Sequence, residues 1–188
     1  MFIRQGDGVH AASYETPWGE GWVYVRDGCL VGVDLPGEGP LVTSAAAGAQ
    51  APDTADAQAL AAWAGELSAY FAGERATWTT AEVPLAHLGL GTFEQAVYEA
   101  LLSLPPGETV SYGELAERAG YPRAARAVGN AMAGNPIPVV VPCHRVIRSD
   151  GSMGNYGNDP AWKPRLLVHE GWSCAGASRA ASPPAEGG

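Results

Sequence analysis

The chain has 188 residues, 46% of them apolar, and a formal net charge of -9 at pH 7. That length holds one large domain or two small ones. With no apolar run near the ~20 residues a bilayer crossing takes, it reads as a soluble globular protein without a membrane partner. The opening MFIRQGDGVHAASYE lacks the apolar core of a secretory signal, and three scattered cysteines, Cys29, Cys143 and Cys174, fit free thiols in a reducing cytoplasm better than a disulfide framework.

In chain order, residues 14–35 contain two runs rich in Val, Tyr and Trp around the turn signal RDG, which predicts an antiparallel hairpin. Residues 36–53 are dominated by Pro, Gly, Ala and Ser and read as a surface connection. The spacing of Leu60, Trp63, Leu67, Tyr70 and Phe71 then predicts an amphipathic helix, with Thr54 or Asp56 as its N-cap and Gly73 as its stop. Residues 74–91 read as a further strand and a linker ending in GLG.

Thr92 and Gln95 are spaced as a capping box for a helix whose face carries Phe93, Val97, Leu101 and Leu104, stopped by Pro105. A second capping box, Ser111 with Glu114, opens another helix that ends at Gly120. Pro122 turns the chain into an alanine-rich third helix carrying Arg123 and Arg126. Two helices around so short a turn form a helix-turn-helix or an ordinary packed hairpin. The last residues, 173–188, have almost no large apolar side chains and read as a disordered tail. The predicted fold class is therefore mixed α+β, in three parts: an amino-terminal α/β domain over 1–91, a second domain over 92–172 and the tail.

A net charge of -9 argues against nucleic-acid binding, but the charge is unevenly placed. Residues 1–91 hold eleven acids against three arginines, whereas residues 92–172 hold eight acids against seven bases. Arg118, Arg123, Arg126, Arg145 and Arg148 follow one another with no Asp or Glu among them, a cationic patch on an acidic protein.

The segment VVVPCHRVIRSDG places Cys143 after a short buried strand ended by Pro142. His144 and Arg145 would favour the thiolate, the nucleophilic form. Neighbours in an extended segment face opposite ways, so His144 would reach the sulfur through a water. A carboxylate, Glu170 or Asp150, would orient the imidazole; spacing alone favours neither.

NPIPVVVPCHRVI, with SYGELAERAG and AARAVGNAM before it and GNY, a lysine and LLVHEG after it, resembles the O6-alkylguanine-DNA alkyltransferases, also called methylated-DNA-protein-cysteine methyltransferases. The likeness covers residues 92–172 closely and the first half more loosely, through TPWG and YFAG. It implies a ribonuclease H-like amino-terminal domain and a winged helix-turn-helix-like domain that bears the reactive cysteine. It further implies a protein that flips O6-alkylguanine out of double-stranded DNA and moves the alkyl group irreversibly to itself, as a monomer and without a cofactor.

Residue by residue, the resemblance makes Cys143 the alkyl acceptor, His144 the base that takes its proton through water and Glu170 the acid behind it, and it turns Arg145 into local structural support. Tyr112 would press on the phosphate 3′ of the flipped nucleotide, Arg126 would fill the duplex, Arg123 would join the DNA contacts and Asn135 would be the hinge. Tyr156, Pro138 and Lys163 would form the guanine pocket, with Val146 contributing through its backbone. Some members of that family hold zinc near the position of Cys29, but the remaining ligands do not line up, so no metal is expected and Cys29 reads as a small core residue. Where the family has paired glycines after the pocket tyrosine this chain has Asn158, Asp159 and Pro160, which predicts a tighter rim that favours methyl over benzyl adducts. The competing readings are a non-catalytic alkylguanine sensor, which would lack the acceptor cysteine, and a helix-turn-helix regulator, for which the second helix offers few base-reading side chains.

Overall fold

The RDG signal does make a hairpin turn, but between the second and third strands of a meander. The computed structural model describes residues 8–37, 51–83, 85–154, 156–157 and 159–173. In it β1 (His10–Thr16), β2 (Gly19–Arg26) and β3 (Cys29–Asp34) lie antiparallel in the order β1-β2-β3. Asp27 and Gly28 both take positive φ, 52° and 72°, as the mirror-image turns favoured in two-residue hairpins require. The sequence reading does not separate β1 from β2, because their turn has no Asn-Gly or Asp-Gly. Thr16 closes it instead, with Oγ1 donating to Gly19 O at 2.8 Å and accepting from Trp18 N at 3.0 Å.

α1 (Thr54–Phe71) packs Leu60, Leu67, Tyr70 and Phe71 toward the sheet. Its N-cap is Asp53, which accepts from Asp56 N at 2.8 Å, rather than Thr54 or Asp56. Asp56 is otherwise engaged: its Oδ1 accepts from Gly28 N at 2.6 Å and ties the helix to the β2–β3 turn. The predicted stop holds, since Gly73 follows the helix at φ 78°.

No strand forms in the described part of 74–91. Thr79 and Glu82 bond to each other and turn the chain, and Trp78, Val83 and Leu85 are buried as anchors, the last opening a 3-10 turn over Leu85–Leu88. Cys29 is only partly buried, so it is not a core residue.

α2 (Thr92–Leu102) buries Val97 and Leu101 completely, and Phe93 stacks edge-on with Tyr121 at 5.0 Å. Its expected capping box does not form: Gly91 is the N-cap, Thr92 is already helical and the Gln95 amide donates to Glu99. The second box does form. Ser111 Oγ accepts from Glu114 N at 3.2 Å, and Glu114 Oε2 accepts from Ser111 N at 2.7 Å. That box starts α3 (Tyr112–Arg118), and α4 (Ala125–Ala133) follows after a short turn. Val110–Ser111 (β4) pairs in parallel with Val146–Ile147 (β5).

One further helix, α5 (Trp162–His169), is absent from the sequence reading. Pro164 obscures it, yet a proline in the first turn costs little, because that turn has no intrahelical partner for its N–H groups. One apolar cluster runs from Tyr14, Val23 and Leu67 to Leu101, Val141 and Leu166, so residues of both halves share a core. No helix among the described residues is long and apolar enough to cross a membrane. The loop prediction over 38–50 and the tail from Cys174 on lie outside the described residues.

Candidate active site

The run Val139–Val141 is buried as expected, but it is not a strand. Pro136 and Pro138 remove ladder donors, and Asn135 supplies the missing partners: its Nδ2 donates to Val141 O at 2.8 Å and its Oδ1 accepts from Ile137 N at 3.1 Å. Val139 sits at φ 73°, a costly conformation for a β-branched residue, and it persists because this loop is so tightly held. Pro142, at φ -80° and ψ 62°, is the centre of an inverse γ-turn in which Cys143 N donates to Val141 O at 2.8 Å. Cys143, His144 and Arg145 then make one 3-10 turn.

Successive side chains in such a turn diverge by about 120°. Cys143 therefore faces a cleft of about 1230 Å³ while His144 and Arg145 point into the interior, at 0% and 1% exposure. His144 is turned from the sulfur by a helical turn rather than by an extended strand.

Behind the cysteine, His144 Nε2 lies 2.8 Å from Glu170 Oε1. A carboxylate partner makes Nε2 the protonated nitrogen and leaves Nδ1 as a bare acceptor. Nδ1 is buried and has no hydrogen-bond partner among the described residues. Asp150, the other candidate, is exposed and bonds to Ser152. Glu170 is the C-cap of α5: its own N donates to Leu166 O at 3.0 Å, and the next two residues close the helix end, Gly171 N donating to Val168 O at 3.0 Å and Trp172 N to Leu167 O at 2.9 Å. Gly171 takes φ 82°, the left-handed conformation this stop requires.

Arg145 is not part of a surface patch. Its Nε and one terminal nitrogen donate to the two Glu170 oxygens, each at 2.8 Å, and its other contacts are Leu104 O at 2.6 Å and Ala76 O at 3.1 Å. Burial opposes the charge on Glu170, but the bonds from His144 and Arg145 outweigh it and hold the carboxyl well below its usual range. With Arg145 already neutralising Glu170, burial is the larger influence on His144 and lowers it, keeping the imidazole neutral at pH 7.

Burial likewise raises Cys143, although Asn135, Tyr156 and Lys163 act in the opposite sense. The resting group is thus a thiol, not the thiolate expected from its neighbours. Asn135 Nδ2 donates to the sulfur at 3.1 Å, so one side chain fixes both the loop and the nucleophile. The Tyr156 hydroxyl lies near the sulfur, buried and without a well-formed hydrogen bond among the described residues; burial and the cysteine raise it, so it stays protonated. Lys163 is 1% exposed and its ammonium sits 5.8 Å over the Tyr112 ring, with burial pulling it down to about 8.

The cleft gathers most of the expected residues: Cys143, Tyr112, Arg126, Asn135, Pro138, Tyr156 and Lys163 all line it. Arg123 is exposed outside the lining, and Val146, expected to act through its backbone, is buried in the β4–β5 pair. Asp159 is at the rim; Asn158 lies outside the described residues. Sequence reasoning misses the wall contributed by Val33, Asp34 and Leu35, which a bond from Val33 N to Pro136 O at 2.9 Å brings to the cleft across a hundred residues. Among the described residues no group of His, Cys, Asp and Glu is arranged to hold a metal.

Residues 92–172 match the family model for the DNA-binding domain of 6-O-methylguanine DNA methyltransferase. The methylated-DNA–protein-cysteine methyltransferase of Mycobacterium tuberculosis is 47% identical over 117 residues, 62% of this chain and 68% of that protein. The mouse protein of that name is 47% identical over 112 residues, 56% of this chain but only 52% of the mouse protein. The crystal structure of the M. tuberculosis O6-methylguanine methyltransferase superposes with a TM-score of 0.67 at 35% identity, covering 93% of this chain and 96% of that one. The M. tuberculosis protein solved in complex with DNA gives 0.68 at 34% identity, covering 91% and 94%.

Proposed function

The chain belongs to the methylated-DNA–protein-cysteine methyltransferase family, and from that premise we propose that it repairs O6-alkylguanine in double-stranded DNA by moving the alkyl group to Cys143. The observation that carries this reading is a buried thiol on a cleft wall, backed by a His144–Glu170 pair whose free imidazole nitrogen is an acceptor. The guanine must leave the stack to reach the sulfur, at a cost of a few kcal/mol. Arg126, exposed on the small-residue helix α4, takes the emptied place in the duplex, and Tyr112 presses on the neighbouring phosphate.

As the base enters, the Cys143 proton passes through a water to His144 Nδ1, and the imidazolium is held by Glu170. The thiolate attacks the methyl carbon in line, an S–C bond forms as the C–O6 bond breaks, and the electron pair leaves with guanine. Tyr156 donates a proton to the departing base and is reprotonated from His144, so the proton lost by sulfur is the one gained by guanine. The thioether has no hydrolytic route back, and each molecule acts once. Lys163, pulled down to about 8 but still mostly protonated at pH 7, adds a cation beside the sulfur that favours the thiolate.

In this reading residues 1–91 form a ribonuclease H-like domain, residues 92–172 a winged helix-turn-helix-like domain, and the protein works as a cytoplasmic monomer. The test incubates the protein with a duplex carrying one O6-methylguanine and then digests the DNA. Conversion of the lesion to guanine, abolished in Cys143→Ala, is the expected result; tight binding with the lesion intact would make the protein a sensor instead.

A further inference from the structure

The sheet-packed helix α1 reaches the relay directly. Tyr70 Oη donates to Glu170 Oε1 at 2.8 Å, the same oxygen that accepts from His144 Nε2 at 2.8 Å and from one Arg145 terminal nitrogen at 2.8 Å. Glu170 Oε2 takes Arg145 Nε at 2.8 Å and Gly107 N at 3.3 Å. Among the described residues the carboxylate therefore has five donors, and the only side-chain hydroxyl among them comes from the amino-terminal half. Tyr70 is 1% exposed, and its ring is fixed by Phe71, Trp78 and His169, with centroids at 5.1, 5.8 and 5.1 Å. Its backbone is held too, since Tyr70 O lies 2.7 Å from His169 Nε2. Such a hydroxyl is aimed, not free to rotate toward water.

We infer that Tyr70 is a positioning residue of the alkyl-acceptor relay, whose hydroxyl shares Glu170 Oε1 with His144 and so sets both the carboxylate rotamer and how strongly the acid pulls on the imidazole. Hydrogen bonds to one oxygen compete for its charge: a donor on Oε1 leaves less density for the His144 bond. Removing it strengthens the His144–Glu170 attraction and makes Nδ1 a stronger base, one that is protonated at a higher pH and is then unable to accept the thiol proton. The other charged or titratable groups facing this centre are Arg145 and Lys163 around His144, and His169 and Tyr156 around Tyr70, all of which a Tyr70→Phe change leaves in place. The inference rests on the repair reading for its kinetic consequence, but not for its geometry.

The test uses the full chain and Tyr70→Phe, which keeps the ring packing and deletes only the hydroxyl. Two quantities are followed against pH: the single-turnover rate of methyl transfer from an O6-methylguanine duplex, and the NMR titration of the His144 imidazole in unreacted protein, assigned by its loss in His144→Gln. The expected result is that the acid limb of the rate profile and the His144 midpoint both move to higher pH, by roughly half a unit, while the plateau rate holds. Unmoved midpoints with a rate or a melting temperature lowered at every pH would make Tyr70 a packing residue and overturn the inference, as would a shift to lower pH. Should wild type transfer no methyl while the His144 midpoint still moves, the repair reading fails and the Tyr70 assignment stands.

Discussion

At the scale of single residues, the relay depends on one buried ion pair, Glu170 with Arg145. Glu170 and Arg145 are both almost inaccessible and hold each other through two bonds of 2.8 Å. Removing one partner of such a pair strands the other in low dielectric, so Arg145→Ala should cost about 3–5 kcal/mol in urea unfolding. Arg118→Ala, which breaks an exposed 3.4 Å pair with Glu108, should stay within about 0.5 kcal/mol of wild type. Equal losses in the two variants would contradict the assignment of Arg145 to the interior. Sequence made Cys143, His144 and Glu170 legible through the resemblance, and the geometry brings the three together. Arg145 was legible in part: it counts among the arginines of the patch and also reads as local structural support, but only the fold reveals the acid it meets 25 residues later.

At the scale of elements, capping chemistry was the most legible part of the sequence. Ser111 and Glu114 form their box, and Gly73 and Gly120 follow their helices at φ 78° and 83°. Thr92 and Gln95 have the same spacing but no box, because the preceding Gly91 already has extended geometry and the helix starts one residue earlier. Buried loops were the least legible. Val139–Val141 has the composition of a strand, but Val141 N donates back to Ile137 O and Val141 O accepts from the Asn135 side chain, local partners that periodicity does not register. Gly107 is a similar case: it has φ 75°, and a Cβ there would come within 3.0 Å of Glu170 O. Gly107→Ala should therefore destabilise by about 1–2 kcal/mol and slow methyl transfer by displacing Glu170, measured by thermal melting and single-turnover kinetics. On α4, Arg126→Ala should impair repair of duplex far more than reaction with free O6-methylguanine base; matching losses would remove Arg126 from the flipping step.

At the scale of the whole molecule, charge and protonation set the working conditions. His144 is lowered by burial, so as pH falls below about 6.5 the unfolded chain takes up a proton that the folded one refuses, and stability falls. Glu170 is held low, and its contribution persists above the ordinary carboxylate range and is lost only in strong acid. Urea midpoints should accordingly drop between pH 7.5 and pH 5, and His144→Gln should flatten that slope. Most of the net charge of -9 sits in residues 1–91, so in the repair reading attraction to DNA falls to the exposed cations at the cleft, Arg126 and Arg148. Replacing Arg148 with Ala should reduce the slope of log affinity against log salt by about 1. The joining of the halves was the part least visible in sequence: Ala76 and Val33 touch the site or its supports from positions that carry no motif, and Tyr70 reaches Glu170 from YFAG, a likeness that assigns it no role.

The central claim, that Cys143 is a one-use alkyl acceptor, is tested most directly by counting methyl groups. The protein is titrated against excess duplex carrying O6-methylguanine, and the intact mass and the Cys143 peptide are measured when the reaction stops. The expected result is one methyl per molecule, located on Cys143, with guanine released in equal amount and no further turnover. Continued conversion beyond one equivalent, or a methyl group on any other residue, would contradict it.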